Sequence, residues 1–483
     1  MSQSIAGACQ HAGRDRIAGG AAAIAIVCLL ATGAAAQMSA SDTATAIPVS
    51  VQPGAAAGND SEIRSRIDNS GGLAIAGEKL HVALLRQFYA AHDFQPVWSS
   101  RQSQSEALLA AVMRSADHGL DPELFHGAVL RNPAALPPLD RELLLSDAFL
   151  AFADALARGA LPLERRLDDE DLTPEPVNVA AALDNAIASP DPAAAIEALA
   201  PNSADYVALR HALQAYRGGV RGAAPTEAAG RRQPMGNDPR LQQIVVNLER
   251  QRWLPRHLPA DRVWVNLPNA QLVLYRGNQP VFTTRVIIGQ SDWQTPELQT
   301  EITSLLFNPP WNVPPSIATL EILPKLAHNP DYMARHHMVF RHNGAIQQLP
   351  GAGTALGQLK FEMPNRFDVY LHDTPMKALF SRDNRRQSHG CVRVQNPREL
   401  GALLLQQPAD AINKGIATGT TNRRNLPAPM PVFLVYQTAF LGPGGAIEFR
   451  PDVYNRDAEI WQHLHPGQQA PVAQGEASVQ RRS

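Results

Sequence analysis

Residues 370–397 read YLHDTPMKALFSRDNRRQSHGCVRVQNP, and this stretch decides how the rest of the chain is read. It holds Cys391, one of 3 cysteines in 483 residues. The other two, Cys9 and Cys28, fall in a segment with the form of an export signal. Arg14 and Arg16 precede an apolar run from Ile17 to Ala31, and Ala34, Ala35 and Ala36 offer a small-residue cleavage site before Gln37. Cleavage there leaves Cys391 alone in an oxidising compartment, where a lone thiol implies either chemistry or deep burial. Cysteine is readily buried, but the neighbours here are polar. Ser388, His389 and Gly390 precede it, Arg393 follows, and Arg382, Arg385 and Arg386 lie upstream. The expected setting is electropositive, which favours a thiolate and a nucleophilic role.

A cysteine nucleophile needs a base within hydrogen-bond reach. His389 is two positions away, and on an extended segment that separation is about 6.5 Å at Cα, which suits direct proton transfer poorly. His372 ends the alternating run Phe367, Val369, Leu371, which reads as a strand, and a long loop leads to a second strand pattern at Val392 and Val394. Two such strands side by side set His372 against Cys391, so His372 is the expected proton donor and acceptor. His389 stays open between shaping the turn and sharing in an oxyanion site. Gly390 fits a backbone that approaches a substrate carbonyl closely, with the amides of Gly390 and Cys391 as oxyanion donors.

His372 followed by SHGCVRV resembles the signature of the L,D-transpeptidases of the YkuD fold, which remodel peptidoglycan. NLERQRWLP from Asn247, VWVNLP from Val263, FNPPWNVPPSI from Phe307 and ALGQLKFEMPNRFDVYLHDTP from Ala355 extend the similarity. It runs over roughly residues 78–460 and is similar to the large subfamily that includes the periplasmic YcbB-type enzymes. The resemblance implies a Cys391 acyl-enzyme and His372 oriented by the Asp373 carbonyl. It also implies substrate contacts at Tyr370, Asp373, Ser388 and Arg393, with Arg393 the first choice for a substrate carboxylate. The implied donor is a tetrapeptide stem whose diaminopimelate carbonyl is transferred to a second diaminopimelate amine, forming a 3-3 cross-link in cell wall biogenesis. Other cell-wall synthesis proteins are conceivable partners. A hydrolase of the same fold that trims stem peptides or releases wall-anchored protein is the alternative, as is a catalytically silent wall-binding scaffold, although the intact motif weighs against the latter.

The composition, 45% hydrophobic and 18% charged, is that of a soluble globular chain, and a net charge of -2 gives no reason to expect nucleic acid as partner. The expected class is α+β: a helical scaffold domain followed by a mainly-β catalytic domain with a helical lid. The divisions are an export signal at 1–36 and periplasmic location, with an uncleaved membrane anchor as the competing reading, a flexible linker at 37–77, the scaffold at 78–217, a linker at 218–237, the catalytic domain at 238–460 with its lid at about 314–348, and a disordered tail at 461–483. Leu80, Leu84, Leu85, Phe88 and Tyr89 recur at helical spacing, as do the runs Ala107 to Met113 and Leu143 to Leu156. Asp121-Pro122 and Asp238-Pro239 read as helix caps. Short antiparallel strands are expected at 263–267, 272–275 and 281–288. His92, His118 and His126 are assigned to packing. His328, His336, His337 and His342 lack a carboxylate or cysteine set, so neither metal nor other cofactor is expected. Between Tyr206 and Asp238 no motif of the small peptidoglycan-binding module seen in relatives is found. Around Leu349, Pro350 and Gly351 the chain departs from the arginine-rich lid sequence associated with the family.

Overall fold

The computed structural model describes residues 57–69, 72–218 and 238–465. The expected export signal and most of the expected 218–237 linker lie outside them. No described helix is long and apolar enough to cross a membrane.

The helical part is organised on Pro138–Arg158, whose Leu143, Leu144, Phe149, Phe152 and Leu156 are buried. Val82–Ala91, Gln102–Met113 and Val179–Ala188 pack around it, contributing Leu85, Phe88, Leu108, Val112 and Leu183. The segment expected to be a flexible tether up to residue 77 is structured from Ala57. Helix Ala57–Asp68 buries Ile63 and Ile67, one turn apart, and a hairpin pairs Ala74–Ile75 with Glu78–Lys79. The small-residue composition hid these few anchors, which suffice because they share one face.

Asp121 caps as its sequence implies, accepting the Glu123 amide at 3.1 Å, although the turn that follows, Pro122–Phe125, is a 3-10 helix. Asp238 likewise accepts the Arg240 amide at 2.9 Å and starts the helix Pro239–Arg252. That helix is buried nearly all round because both modules cover it. Leu241, Ile244, Val245 and Leu248 join the helical core, together with Phe433, Val435 and Trp461 from the C-terminal part.

The catalytic sheet runs in the order Leu359–Glu362, Leu371–His372, Val392–Val394, Gln279–Gly289, Gln271–Arg276, Arg262–Asn266, Asn422–Val435, Glu297–Phe307. It closes on itself because Leu359–Glu362 also pairs with Glu297–Phe307. Alternate residues fill the interior: Val263, Val265, Leu272, Leu274, Val286, Phe307, Phe361, Leu371, Val392 and Val394 are all buried. The first three strands in chain order form the antiparallel meander expected. Within that order two pairings are parallel instead, Leu371–His372 with Val392–Val394 and Arg262–Asn266 with Asn422–Val435, each joined by a long connection as parallel strands require.

Three expected boundaries move. The strand reading of Phe367 to Leu371 shrinks to Leu371–His372, because Asp368 sits at φ 54° and the Asn365 side chain accepts the amides of Phe367 and Val369 at 3.0 and 3.2 Å. The lid is only half helical: Trp311–Asn312, Ile346–Gln348 and Met338–Phe340 form a small sheet over a core of Val313, Ile317, Ile322, Met338 and Ile346. The expected tail from 461 begins inside a helix, Asp457–Leu464, with Trp461 and Leu464 buried.

A scaffold segment extends the catalytic sheet, since Glu170–Asp171 pairs in parallel with Glu297 and Leu298. Fully buried Arg456 bonds Glu297 at 3.2 Å and Gln294 at 2.9 Å, and also pairs with Asp169. Arg366 holds the same segment through Asp171 at 3.0 Å and the Asp168 carbonyl at 2.6 Å. Arg456→Met should lower stability by about 3–5 kcal/mol, the usual cost of stripping one partner from a buried ion pair. Urea unfolding of the full chain measures it, and an unchanged midpoint would deny the network a structural role.

Candidate active site

Cys391 is half-buried on the wall of a cleft of about 940 Å³ between sheet and lid. The turn before it is fixed from several sides. Gly390 adopts φ 103°, a conformation that favours glycine. Its carbonyl accepts from the fully buried Thr295 hydroxyl at 2.8 Å, and Thr295 in turn accepts the Gly289 amide at 2.9 Å. Ser388 donates to the Cys391 carbonyl at 2.6 Å and accepts the Gly390 amide at 3.3 Å. Ser388 therefore shapes the turn and, at 2% exposure, does not face substrate as expected. The Gly390 amide is committed to it. Among the described residues the Cys391 amide has no partner, which leaves it as the available oxyanion donor.

Parallel register sets the pair. Leu371 stands opposite Val392 and His372 opposite Arg393, and the Val392 amide donates to the Tyr370 carbonyl at 3.1 Å. Cys391 is therefore level with Tyr370, and His372 is its diagonal neighbour on the same face. Such neighbours are roughly 7–8 Å apart at Cα, within the span of a thiol and an imidazole. His372 is buried, and its Nδ1 lies 2.5 Å from the Asp373 carbonyl. With Nδ1–H donating there, Nε2 is left as the acceptor. Burial, then the Arg393 charge, lowers the imidazole pKa to about 3, so the ring is neutral at neutral pH.

Tyr370 joins the parts. Its ring meets the His372 imidazole edge-on at 5.6 Å, and the thiol itself lies 3.9 Å from the Asp368 carbonyl. Lys360 Nζ lies 4.1 Å from the ring centroid. Burial pushes the Cys391 thiol above its ordinary range, against the pull of Tyr370, Lys360 and Arg393. The thiolate-favouring setting expected from the arginine-rich loop is thus not what the structure holds. Arg385 is turned to the carbonyls of Arg382 and Asn269, and Arg386 to that of Val453.

The remaining expected residues divide. His389 lines the cleft but is engaged by the lid: its Nε2 lies 2.5 Å from Glu321, in the π-helical turn Ala318–Ile322, and Trp293 packs edge-on at 5.4 Å. Asp373 faces away from the thiol, with its carboxylate accepting from Gln358 and Thr374 amides and from Lys377 at 2.9, 2.7 and 2.6 Å. It borders a second cavity of about 440 Å³. Arg393 does not line the thiol cleft, and its Nε is buried without a hydrogen-bond partner among the described residues. Among them, too, no group of three or more histidine, cysteine or acidic side chains is placed to hold a metal ion. Lys360, Thr295 and the scaffold's Asp169, which also lines the cleft, had no motif to announce them.

Comparison with known proteins agrees with the cysteine motif. Residues 83–213 match the scaffold domain and residues 260–420 the L,D-transpeptidase catalytic domain of YkuD type. A candidate L,D-transpeptidase of Haemophilus influenzae is 31% identical over 242 residues, covering 45% of this chain and 49% of that protein. The chain thus spans about half the length of the curated relative it matches. A crystal structure of an Enterococcus faecium L,D-transpeptidase mutant overlaps 37% of this chain and 50% of its own at 11% identity, with a TM-score of 0.21. The catalytic domain of E. faecium L,D-transpeptidase acylated by ertapenem overlaps 37% and 99% at 13% identity, also at 0.21. Overlap that weak adds nothing on fold. Residues 260–420, which hold the motif around Cys391 and most of the closed sheet, are thus an L,D-transpeptidase catalytic domain of YkuD type, with a scaffold domain ahead of it.

Proposed function

We propose that the chain is an exported, periplasmic peptidoglycan L,D-transpeptidase that forms 3-3 cross-links through a Cys391 thioester. The observation that carries this reading is a cleft-wall thiol with a neutral, carbonyl-oriented imidazole diagonal to it on the same sheet face. His372 Nε2 accepts the thiol proton as sulfur attacks the diaminopimelate carbonyl of the donor stem, and the oxyanion forms at the Cys391 amide. The imidazolium then returns that proton to the departing D-alanine nitrogen, leaving the thioester. A diaminopimelate amine of a second stem attacks next and loses its proton to His372, and the released sulfur regains one as the thiol.

The Glu321–His389 contact ties the lid to the turn that carries the nucleophile, beside a cleft roomy enough for a second stem. Purified protein incubated with disaccharide-tetrapeptide and followed by mass spectrometry tests the reading. Cross-linked dimers are expected; trimmed monomers alone would replace transpeptidation by hydrolysis.

A further inference from the structure

We propose that Lys360 is the cation that holds the free carboxylate of the donor peptide's leaving residue, an assignment that rests on the peptide-amide reading of the Cys391 reaction. Lys360 lies on Leu359–Glu362, where Leu359 and Phe361 fill the interior and Lys360 points to the opposite face, level with His372. It lines the cleft that holds Cys391, and its ammonium rests on the ring of Tyr370, the residue level with Cys391 in the strand register. Successive Cα atoms are about 3.8 Å apart, so a carboxylate one residue beyond the attacked carbonyl falls in this neighbourhood.

Charge on the cleft wall singles out the same spot. Among the described residues lining it, Lys360 is the one lysine or arginine, whereas Asp169, Glu362 and Asp368 are acidic. No carboxylate lies within ion-pair distance of Lys360 among the described residues: Glu362 is taken by Arg423 at 2.7 Å and Ser304 at 2.7 Å. Of the neighbouring cations, Arg366 is taken by the scaffold segment and Lys377 by Asp373, while Arg393 does not line the cleft. A half-buried ammonium without a counter-ion is costly, and an incoming carboxylate relieves that cost.

The test uses the full chain in the Cys391→Ala background, which binds without turnover, and calorimetry with disaccharide-tetrapeptide whose terminal carboxylate is either free or converted to the carboxamide. Lys360→Met should weaken binding of the free acid about ten-fold or more, in keeping with a hydrogen bond to a charged group, and change carboxamide binding less than two-fold. Lys360→Arg should restore most of the loss and so control for folding. Equal losses for acid and carboxamide, or no loss for the acid, would overturn the assignment. So would Lys360→Met with native Cys391 shifting the pH profile of thiol alkylation by neutral iodoacetamide while acid binding is unchanged, since Lys360 then acts on the thiol instead. If the Lys360-containing protein binds neither peptide, the peptide reading itself falls and takes this proposal with it.

Discussion

Cys391→Ala should leave a folded protein with no measurable acyl transfer. The substitution removes one sulfur from a half-buried side chain, while the turn around it is held by backbone and by Ser388 and Thr295, none of which needs the thiol. Loss of the nucleophile in a covalent enzyme costs roughly 10⁶-fold in kcat, below the floor of a cross-linking assay. Mass spectrometry after exposure to a carbapenem gives an independent reading: a strained lactam carbonyl should acylate Cys391 in the unaltered protein and add its mass, and the alanine variant should stay unmodified. An adduct on a serine, or activity above a few percent of the parent, would remove the thiol from the mechanism.

The second large effect is that of His372→Ala, which should slow acylation about 10²-fold or more, the usual worth of a positioned general base. Its pH signature separates a base from a charge. The thiol pKa lies above the ordinary range and that of the imidazole is about 3, so near neutrality both groups are uncharged. Reactive thiolate grows as pH rises, hence alkylation of Cys391 by a small neutral reagent should climb through the alkaline range without a plateau near pH 7. Removing a neutral imidazole should barely move that profile while acylation by peptide collapses. A marked rise of the alkylation pKa in the variant would instead reveal an imidazolium beside the sulfur. His389→Ala should leave the alkylation profile in place and act through the lid, because its partner there is Glu321.

The pairing of His372 with Cys391 was legible because both sit at ends of period-2 apolar runs, and Leu371, Val392 and Val394 do fill the interior that those runs imply. Directions were less legible than positions. Asp373 follows His372 yet turns to another cavity, because a one-residue step along extended chain reverses the face, and Ser388 is held inward by its bonds across the Gly390 turn. Arginines near Cys391 suggested a thiolate, but distance along a loop says little about where a long side chain ends, and these satisfy backbone carbonyls instead. Lys360, Thr295 and Asp169 come to the site through closure of the sheet and through the scaffold strand, and such long-range pairings leave no local pattern.

The order in which the sheet can be assembled sets a timetable for the molecule. Val432 pairs with Val263, Leu359 with Phe307 and Glu170 with Glu297, so pairings that close the sheet join positions far apart along the chain. Contacts of such separation form slowly, since the loop entropy is lost before the contacts repay it. Until the strands around it are paired, Cys391 has neither Tyr370 beside it nor the Ser388 and Thr295 bonds that fix its turn. Oxidative loss of the nucleophile should therefore fall mainly on newly made chains, with mature protein protected; pulse-labelled and aged samples challenged with the same peroxide dose would differ accordingly.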